Sequence, residues 1–378
     1  MTTTSHQIHF TDSCDMEMVE SNSVNLVVTS PPYPMVEMWD DLFCAGDSKI
    51  KTVLAKGRGI EAFELMHQKL DRVWAEAYRI LSPGSFACIN IGDATRTVDG
   101  TFQLYPNHAR ILSAMVSLGF SPMPLIIWRK QTNAPNKFMG SGMLPAGAYV
   151  TLEHEYVLIL RKGDKRQFKS EEEKEHRRKS ALFWEERNKW FSDVWFDLKG
   201  TVQKLKTNSP ENKEIRKRSG SYPFALPYRL INMYSVKQDI VVDPFLGLGT
   251  TTLAAMAAER NSLGFEIDGG LWESIAQRIN GSEPMLNREI LNRLENHREF
   301  VKTRTEQKKP FKHFNETHGF EVITAQERFL HLGGVEAVTI DKEVEAVTID
   351  KEIDEKNRTV NVKHCEFPQP ERDLFSPV

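Results

Sequence analysis

The chain has 378 residues, a formal net charge of −3 and 40% hydrophobic residues, enough for one large catalytic domain with an insertion or tail. This balance excludes a polycation, so any nucleic-acid surface has to be a local patch. Cys14, Cys44, Cys88 and Cys365 are scattered, with no CxxC or His/Cys cluster, which predicts reduced thiols, no metal and a cytoplasmic protein. The start, MTTTSHQIHF, is no signal peptide, and no stretch approaches the roughly 20 apolar residues of a membrane span.

Residues 7–10 read as a short strand, followed by Thr11, Asp12 and Ser13 and a short helix over 14–20. The apolar run 24–28, broken only by Asn25, reads as a buried parallel strand. It runs into Thr29, Ser30, Pro31, Pro32 and Tyr33. Neither proline can donate to a ladder, each fixes its own φ, and Pro31 keeps Ser30 out of the helical region. The product is a stiff corner at the carboxyl end of a strand, where open α/β sheets place ligands. It offers a hydroxyl, backbone carbonyls that no strand uses, and an aromatic ring. That set suits the exocyclic amine of a nucleobase. The hydroxyl and a carbonyl accept its two N–H groups and free the lone pair, while the ring stacks on the base for about 1–3 kcal/mol. The base has to leave the duplex first. A plain Pro-Pro turn has the same residues, and a second motif downstream decides between the two.

Residues 35–59 read as irregular, a segment over the site or a surface loop. Residues 60–81 carry helical spacing and stop at Ser82, Pro83 and Gly84. Strands are expected at 85–91, 124–128 and 155–160, and a helix at 105–118. Asp93, just after its strand, either borders the pocket or caps; His154 has a structural or target-loop role; 131–147 reaches the substrate. Between 161 and 218, 18 Lys and Arg against 11 Asp and Glu leave a local charge of +7, interleaved with Trp184, Trp190, Phe191, Trp195 and Phe196. Such interleaving suits nucleic acid, although a solvated helix with a small core fits the first half equally. The second half, with Lys199, Lys204, Lys206, Arg216, Lys217 and Arg218, reads as a DNA surface.

A helix over 223–234 leads to a strand at 240–242 that runs into Asp243, Pro244, Phe245, Leu246, Gly247, Leu248, Gly249, Thr250 and Thr251. A helix at 253–259, a strand at 262–267 and a helix at 271–279 follow. Strand, glycine-rich turn and helix make a cradle for an adenosine cofactor. Gly247 and Gly249 let the backbone come close, and Asp243 can accept from a cationic amino group. Glu266, about 20 residues on, has the spacing of a carboxylate that holds both ribose hydroxyls. Beyond 281 the apolar density falls, with helical character left at 287–302. VEAVTIDKE stands at 335–343 and again at 344–352. Two copies are too few for a solenoid and read as a duplication on a solvated tail or hairpin, with no chemistry assigned.

Ser30-Pro31-Pro32-Tyr33 resembles motif IV, and DPFxGxGTT with its following acidic strand end resembles motif I, of the beta class of DNA amino-methyltransferases. The similarity covers roughly residues 7–280. The catalytic motif comes first and the cofactor loop last, so the order looks circularly permuted: 7–10 would be the third strand, 24–28 the fourth and 240–242 the first. The resemblance implies an α/β fold, a Rossmann-like seven-stranded S-adenosylmethionine-dependent methyltransferase sheet with an inserted target-recognition region. Its parts would be a catalytic half at 1–160, target recognition at 161–222, a cofactor half at 223–280 and a partly flexible extension at 281–378. It implies Ser30, Pro31, Pro32 and Tyr33 as catalytic. For S-adenosylmethionine it implies Asp12, Pro223, Asp243, Pro244, Phe245, Gly247, Gly249, Thr250, Thr251, Glu266 and Asp268.

The serine form looks like the N4-cytosine branch, since the N6-adenine branch usually has Asp or Asn there. The expected activity is therefore N4-cytosine methylation of duplex DNA in a restriction-modification system, by a monomer or homodimer accompanied by a cognate restriction endonuclease. N6-adenine methylation, methylation of RNA or protein, and an inactive DNA-binding module are the alternatives. The chain departs from the family pattern at Tyr222, often His; at Leu226, often Phe; and at Leu248, commonly Ser.

Overall fold

The computed structural model describes residues 2–45, 47–130, 139–200, 222–341 and 357–367. Its centre is an eleven-stranded sheet. The strands are β1 Thr3–His9, β2 Val24–Thr29, β3 Leu81–Ile91, β4 Phe120–Pro122, β5 Ile126–Arg129, β6 His154–Lys162, β7 Val194–Trp195, β8 Ile240–Asp243, β9 Asn261–Phe265, β10 Gly333–Ile340 and β11 Asn357–Glu366. Their order is β7-β5-β6-β3-β2-β8-β9-β1-β11-β10, with β4 paired to β6. The five strands from β3 to β1 along this path are parallel, and β6 runs antiparallel to both β3 and β5. The permutation holds: β1 lies third and β2 fourth around a first strand, β8.

The central strands are buried on both faces. Leu26, Val28 and Val241 point into one core with Leu226, Leu230 and Leu253, while Val24, Val27 and Val242 point into the other with Met66, Leu70 and Trp74. Period-two alternation between two apolar layers explains why these strands read as continuous apolar runs. The helix Gly59–Ile80 covers one face; Ala225–Tyr234 and Thr250–Ala257 cover the other. Each fully buried Leu or Val contributes about 1.5–3 kcal/mol. Parallel pairing of β2 with β8, Leu26 opposite Val241 and Val27 opposite Val242, brings two strands 214 residues apart in sequence to end side by side.

Two expectations change and one extends. The helix over 14–20 is a set of turns. Arg79 donates to the carbonyls of Met16 and Val19, Asp12 caps Cys14 N at 2.9 Å, and the buried Met16 and Val19 peg the turns down. The segment 35–59 is a packed cap rather than an irregular loop, with helices Asp40–Cys44 and Ser48–Ala55 burying Phe43, Ile50 and Val53. Among the described residues the seven expected strands are all present and four more extend the sheet to eleven: β4 and β7 are short, and the C-terminal stretch adds two long strands. Of the tail or hairpin expected there, the stretch takes the paired form: β10 lies antiparallel to β11, and β11 pairs antiparallel with the whole length of β1. Asn287, on the helix Glu283–Glu306, donates to Val335 O and accepts from Val335 N, holding β10 at its bulge. The first VEAVTIDKE copy lies largely in β10; the second lies outside the described residues.

Candidate active site

β2 ends at Thr29, whose buried hydroxyl donates to Asp243 Oδ1 at 2.6 Å. This bond joins the Pro-Pro corner to the glycine turn. Pro31 and Pro32 are buried, and Ser30 and Tyr33 are half-buried. The corner is braced from below: Asn107 Nδ2 donates to Pro34 O at 3.1 Å and Gly92 O at 3.0 Å, while its own Oδ1 is held by His67 at 3.0 Å. A Cβ added at Gly92 would stand 3.0 Å from the Tyr33 ring and 3.3 Å from Glu155 Cγ, so a larger residue there would press on both.

The Tyr33 hydroxyl is the hub of a polar cluster. It donates to Glu155 Oε2 at 3.0 Å and accepts from Ser30 Oγ at 3.2 Å and Asn90 Nδ2 at 2.9 Å. Asn90 Nδ2 also reaches Glu155 Oε2 at 2.7 Å, and Lys130 Nζ donates to Glu155 Oε1 at 2.9 Å. Burial first, and the Glu155 charge second, push the Tyr33 phenol well above its usual range.

On the other wall, Asp243 is only 3% exposed. Oδ1 accepts from Thr29 and from Phe245 N at 3.0 Å; Oδ2 accepts from Thr251 Oγ1 at 2.5 Å, and the Tyr222 hydroxyl lies 3.3 Å away. A carboxylate has about four lone-pair sites, and Thr29, Phe245 N and Thr251 fill three of them. These donors make Asp243 a tie between the two motifs. It is the clasp between corner and turn, and burial raises its pKa despite these donors.

Gly247 and Gly249 have φ of +53° and +75°, the left-handed region that favours glycine. A Cβ added at Gly247 would meet nothing within 4 Å, so the turn faces open space on that side. Arg278 holds the turn from behind through Leu248 O and Thr250 Oγ1. Glu266 Oε2 accepts from Gly247 N at 2.8 Å and Oε1 from Asp268 N at 2.9 Å. Burial pushes its pKa up to about 7, with Asp268 and Asp243 adding to the effect. A half-buried carboxylate beside an open glycine turn fits a nucleoside with a free diol.

The remaining residues are placed as follows. Pro244 and Thr250 are buried, and Phe245 packs edge-on against Trp74. Asp12 and Asp268 are exposed turn caps, for Cys14 N and Gly270 N. Pro223 is buried, and its carbonyl accepts from Leu226 N at 3.0 Å. Asp93 caps: it accepts from His108 N and pairs with the His108 ring at 2.8 Å. In the basic region Trp190 and Trp195 are buried and Arg229 clamps Asp197; Phe183, Trp195 and Leu198 join the core of the central sheet, so the first half has no separate core among the described residues. Trp184, Phe191 and Phe196 remain exposed. Lys199 is exposed. Lys204, Lys206, Arg216, Lys217 and Arg218, and residues 131–138 of the stretch expected to reach the substrate, lie outside the described residues.

Sequence reasoning missed Asn90, Lys130 and Glu155 as site residues, and the clasp partners Thr29 and Tyr222. Asn90 left a signal, a lone amide in an apolar strand. Glu155, 122 residues from Tyr33, left none.

The DNA methylase family model, of the N6/N4 type, matches residues 24–277. The Type II methyltransferase M.MthZI of Methanothermobacter thermautotrophicus is 51% identical over 330 residues, covering 87% of this chain and 90% of that protein. M.MjaI of Methanocaldococcus jannaschii, also a Type II methyltransferase, is 44% identical over 306 residues, covering 77% and 98%. Among solved structures, TTHA0409 of Thermus thermophilus, complexed with S-adenosyl-L-methionine, superposes with a TM-score of 0.55 at 31% identity, over 72% of this chain and 94% of that one. With the family model matching more than half of the chain, the chain belongs to the DNA methylase family.

Proposed function

We propose that the protein methylates the exocyclic N4 amine of a cytosine turned out of duplex DNA, with S-adenosylmethionine as cofactor. The observation that carries this reading is the 2.6 Å bond from Thr29 to Asp243, which fastens an amine-accepting corner to a nucleoside cradle. The bound cofactor supplies an electrophilic methyl group. Ser30 Oγ and the Pro31 carbonyl accept the two amine hydrogens, drawing the nitrogen toward tetrahedral geometry, and Pro32 stiffens the corner. The Tyr33 ring gives the base a stacking face. Glu266 accepts from the ribose hydroxyls, Gly247 and Gly249 admit the ligand against the backbone, and Asp12, Pro223, Pro244, Phe245, Thr250, Thr251 and Asp268 shape the walls. Alignment in a dry cleft accounts for most of the rate, and no nucleophilic cysteine is needed.

Serine at position 30 supports cytosine over adenine. The packing of residues 198–200 supports a DNA path at the rim. Trp128 donates to Leu198 O at 2.9 Å, and a Cβ on Gly200 would stand 3.1 Å from the stem of Lys130. The basic stretch beginning at Lys199, with Lys204, Lys206, Arg216, Lys217 and Arg218, thus starts beside the cleft and is read as its phosphate surface. The Type II names of the relatives support a role beside a cognate restriction endonuclease. Nucleoside analysis and base-modification sequencing of DNA from cells expressing the protein test the proposal. N4-methylcytosine in one sequence context is expected; N6-methyladenine would replace the base assignment, and unmodified DNA would refute the reading.

A further inference from the structure

We propose that Glu155 is the terminal acceptor, through Tyr33 and Ser30, of the proton that the target amine sheds on methylation. The inference rests on the reading of Ser30 as the residue that accepts the amine.

The polarity of the chain follows from the end group. An ionised carboxylate only accepts hydrogen bonds. Tyr33, 3.0 Å from Glu155 Oε2, therefore gives its single proton to Glu155. Its oxygen is left to accept, from Asn90 Nδ2 at 2.9 Å and from Ser30 Oγ at 3.2 Å. The Ser30 proton is thereby committed to Tyr33, and the Ser30 lone pairs face the cleft as acceptors. Asn90, 2% exposed, and Lys130 hold Glu155 in this pose through one oxygen each. The Tyr33 phenol, kept neutral by burial and by Glu155, can take one proton while passing on another.

The balance of the step is complete within this set. The amine nitrogen forms its bond to the methyl carbon as the sulfur–carbon bond breaks, and that electron pair leaves with sulfur. The nitrogen now carries one proton too many. That proton goes to Ser30 Oγ, the Ser30 proton to Tyr33, and the Tyr33 proton to Glu155. An ammonium attached to an electron-poor aromatic ring is a strong acid, so a carboxylate paired with lysine is base enough. The side chain of Glu155 is 13% exposed and that of Lys130 39%, so the proton has an outlet to water beside Lys130. Glu155 touches neither base nor cofactor in this scheme; it is a positioning residue that polarises Ser30 and drains its proton.

The test is a double-mutant cycle on the full chain, read by single-turnover transfer of labelled methyl to long unmethylated duplex DNA. Glu155→Gln keeps the shape, and Tyr33→Phe keeps the stacking ring, but each cuts the relay. Each single variant should lose about 10²-fold in the transfer rate, the lower range for general base catalysis. Affinities for DNA and cofactor should stay within about threefold. Because both cuts sever one path, the double variant should be no more than about threefold slower than either single, and the wild-type solvent isotope effect should shrink in all three. Losses that multiply, a Glu155→Gln rate within threefold of wild type, or a loss confined to DNA affinity would overturn the proposal. If Glu155→Gln melts below the assay temperature, the same cycle is run at a lower temperature at which circular dichroism shows all four proteins folded. Should the product be N6-methyladenine, the cytosine assignment falls while the cycle still tests the relay.

Discussion

The two walls of the cleft are built in opposite ways. The cofactor wall is built mainly from one continuous stretch, β8 to Asp268, and the bonds within it span 2, 8 and 19 residues. The base wall is gathered from four separate strand ends, and the bonds around Tyr33 cross 57 and 122 residues, with 65 between Asn90 and Glu155. Short loops close at little entropic cost, and long ones close only when the sheet forms. One wall is therefore specified by local sequence and the other by strand order. The bond from Thr29 to Asp243 joins them where the two strands end.

Breaking the base wall alone gives the largest effect. Ser30→Ala removes an acceptor aimed at the reacting nitrogen, and methyl transfer should fall about 10²–10³-fold, the size seen when one preorganised polar group is deleted. Cofactor affinity by calorimetry should stay at the wild-type value. A variant that also lost the cofactor would show that the walls are not separable.

Breaking the joint comes next. Asp243→Ala leaves Thr29, Thr251 and Phe245 N without their buried acceptor. An unpaired buried donor costs about 1–3 kcal/mol, and relaxation among the three should leave a net loss of about 3 kcal/mol. Chemical denaturation checks this, and both transfer rate and cofactor affinity should fall together. Asp243→Asn, which retains one acceptor oxygen, should lose less. A loss of cofactor affinity with full stability would give Asp243 the role of a direct ligand.

The same contrast governs what could be read from the sequence. The central strands were legible because each buries both faces, so Val24 to Val28 shows no polar alternation. The glycine turn was legible because its bonds are local. β11 escaped because its burial alternates, Val360, Val362 and His364 in and Asn361 and Lys363 partly or fully out, within a stretch of low apolar density. The helix expected over 14–20 failed because Arg79, some sixty residues on, supplies the donors that a next turn would otherwise provide. Asp243 stands out as a motif residue, but its hydrogen-bond partners Thr29 and Tyr222 do not, because they arrive from other parts of the chain. The Glu155 cluster could not be read at all, since Tyr33 and Glu155 meet only through the order β2-β3-β6.

The smallest effect tests the cofactor wall by pH. Burial pushes Glu266 from the usual 4.5 up to about 7, so the folded, unliganded protein binds a proton between those two values that the unfolded chain does not. For this group alone the fold is destabilised above about pH 7, and that cost fades as pH falls through the window. Cofactor binding has the opposite sign, because ribose hydroxyls donate to a carboxylate and a protonated Glu266 has to lose its proton first. With a pKa near 7, the carboxylate fraction drops about tenfold from pH 8 to pH 6, and cofactor affinity should weaken by the same factor. Glu266→Gln should bind more weakly at pH 8 and show no such slope. Ser30→Ala should keep the wild-type slope, because its wall holds no part of this carboxylate. A flat wild-type profile would remove Glu266 from the cofactor site, and a changed slope in Ser30→Ala would mean that the two walls communicate through more than the Thr29–Asp243 bond.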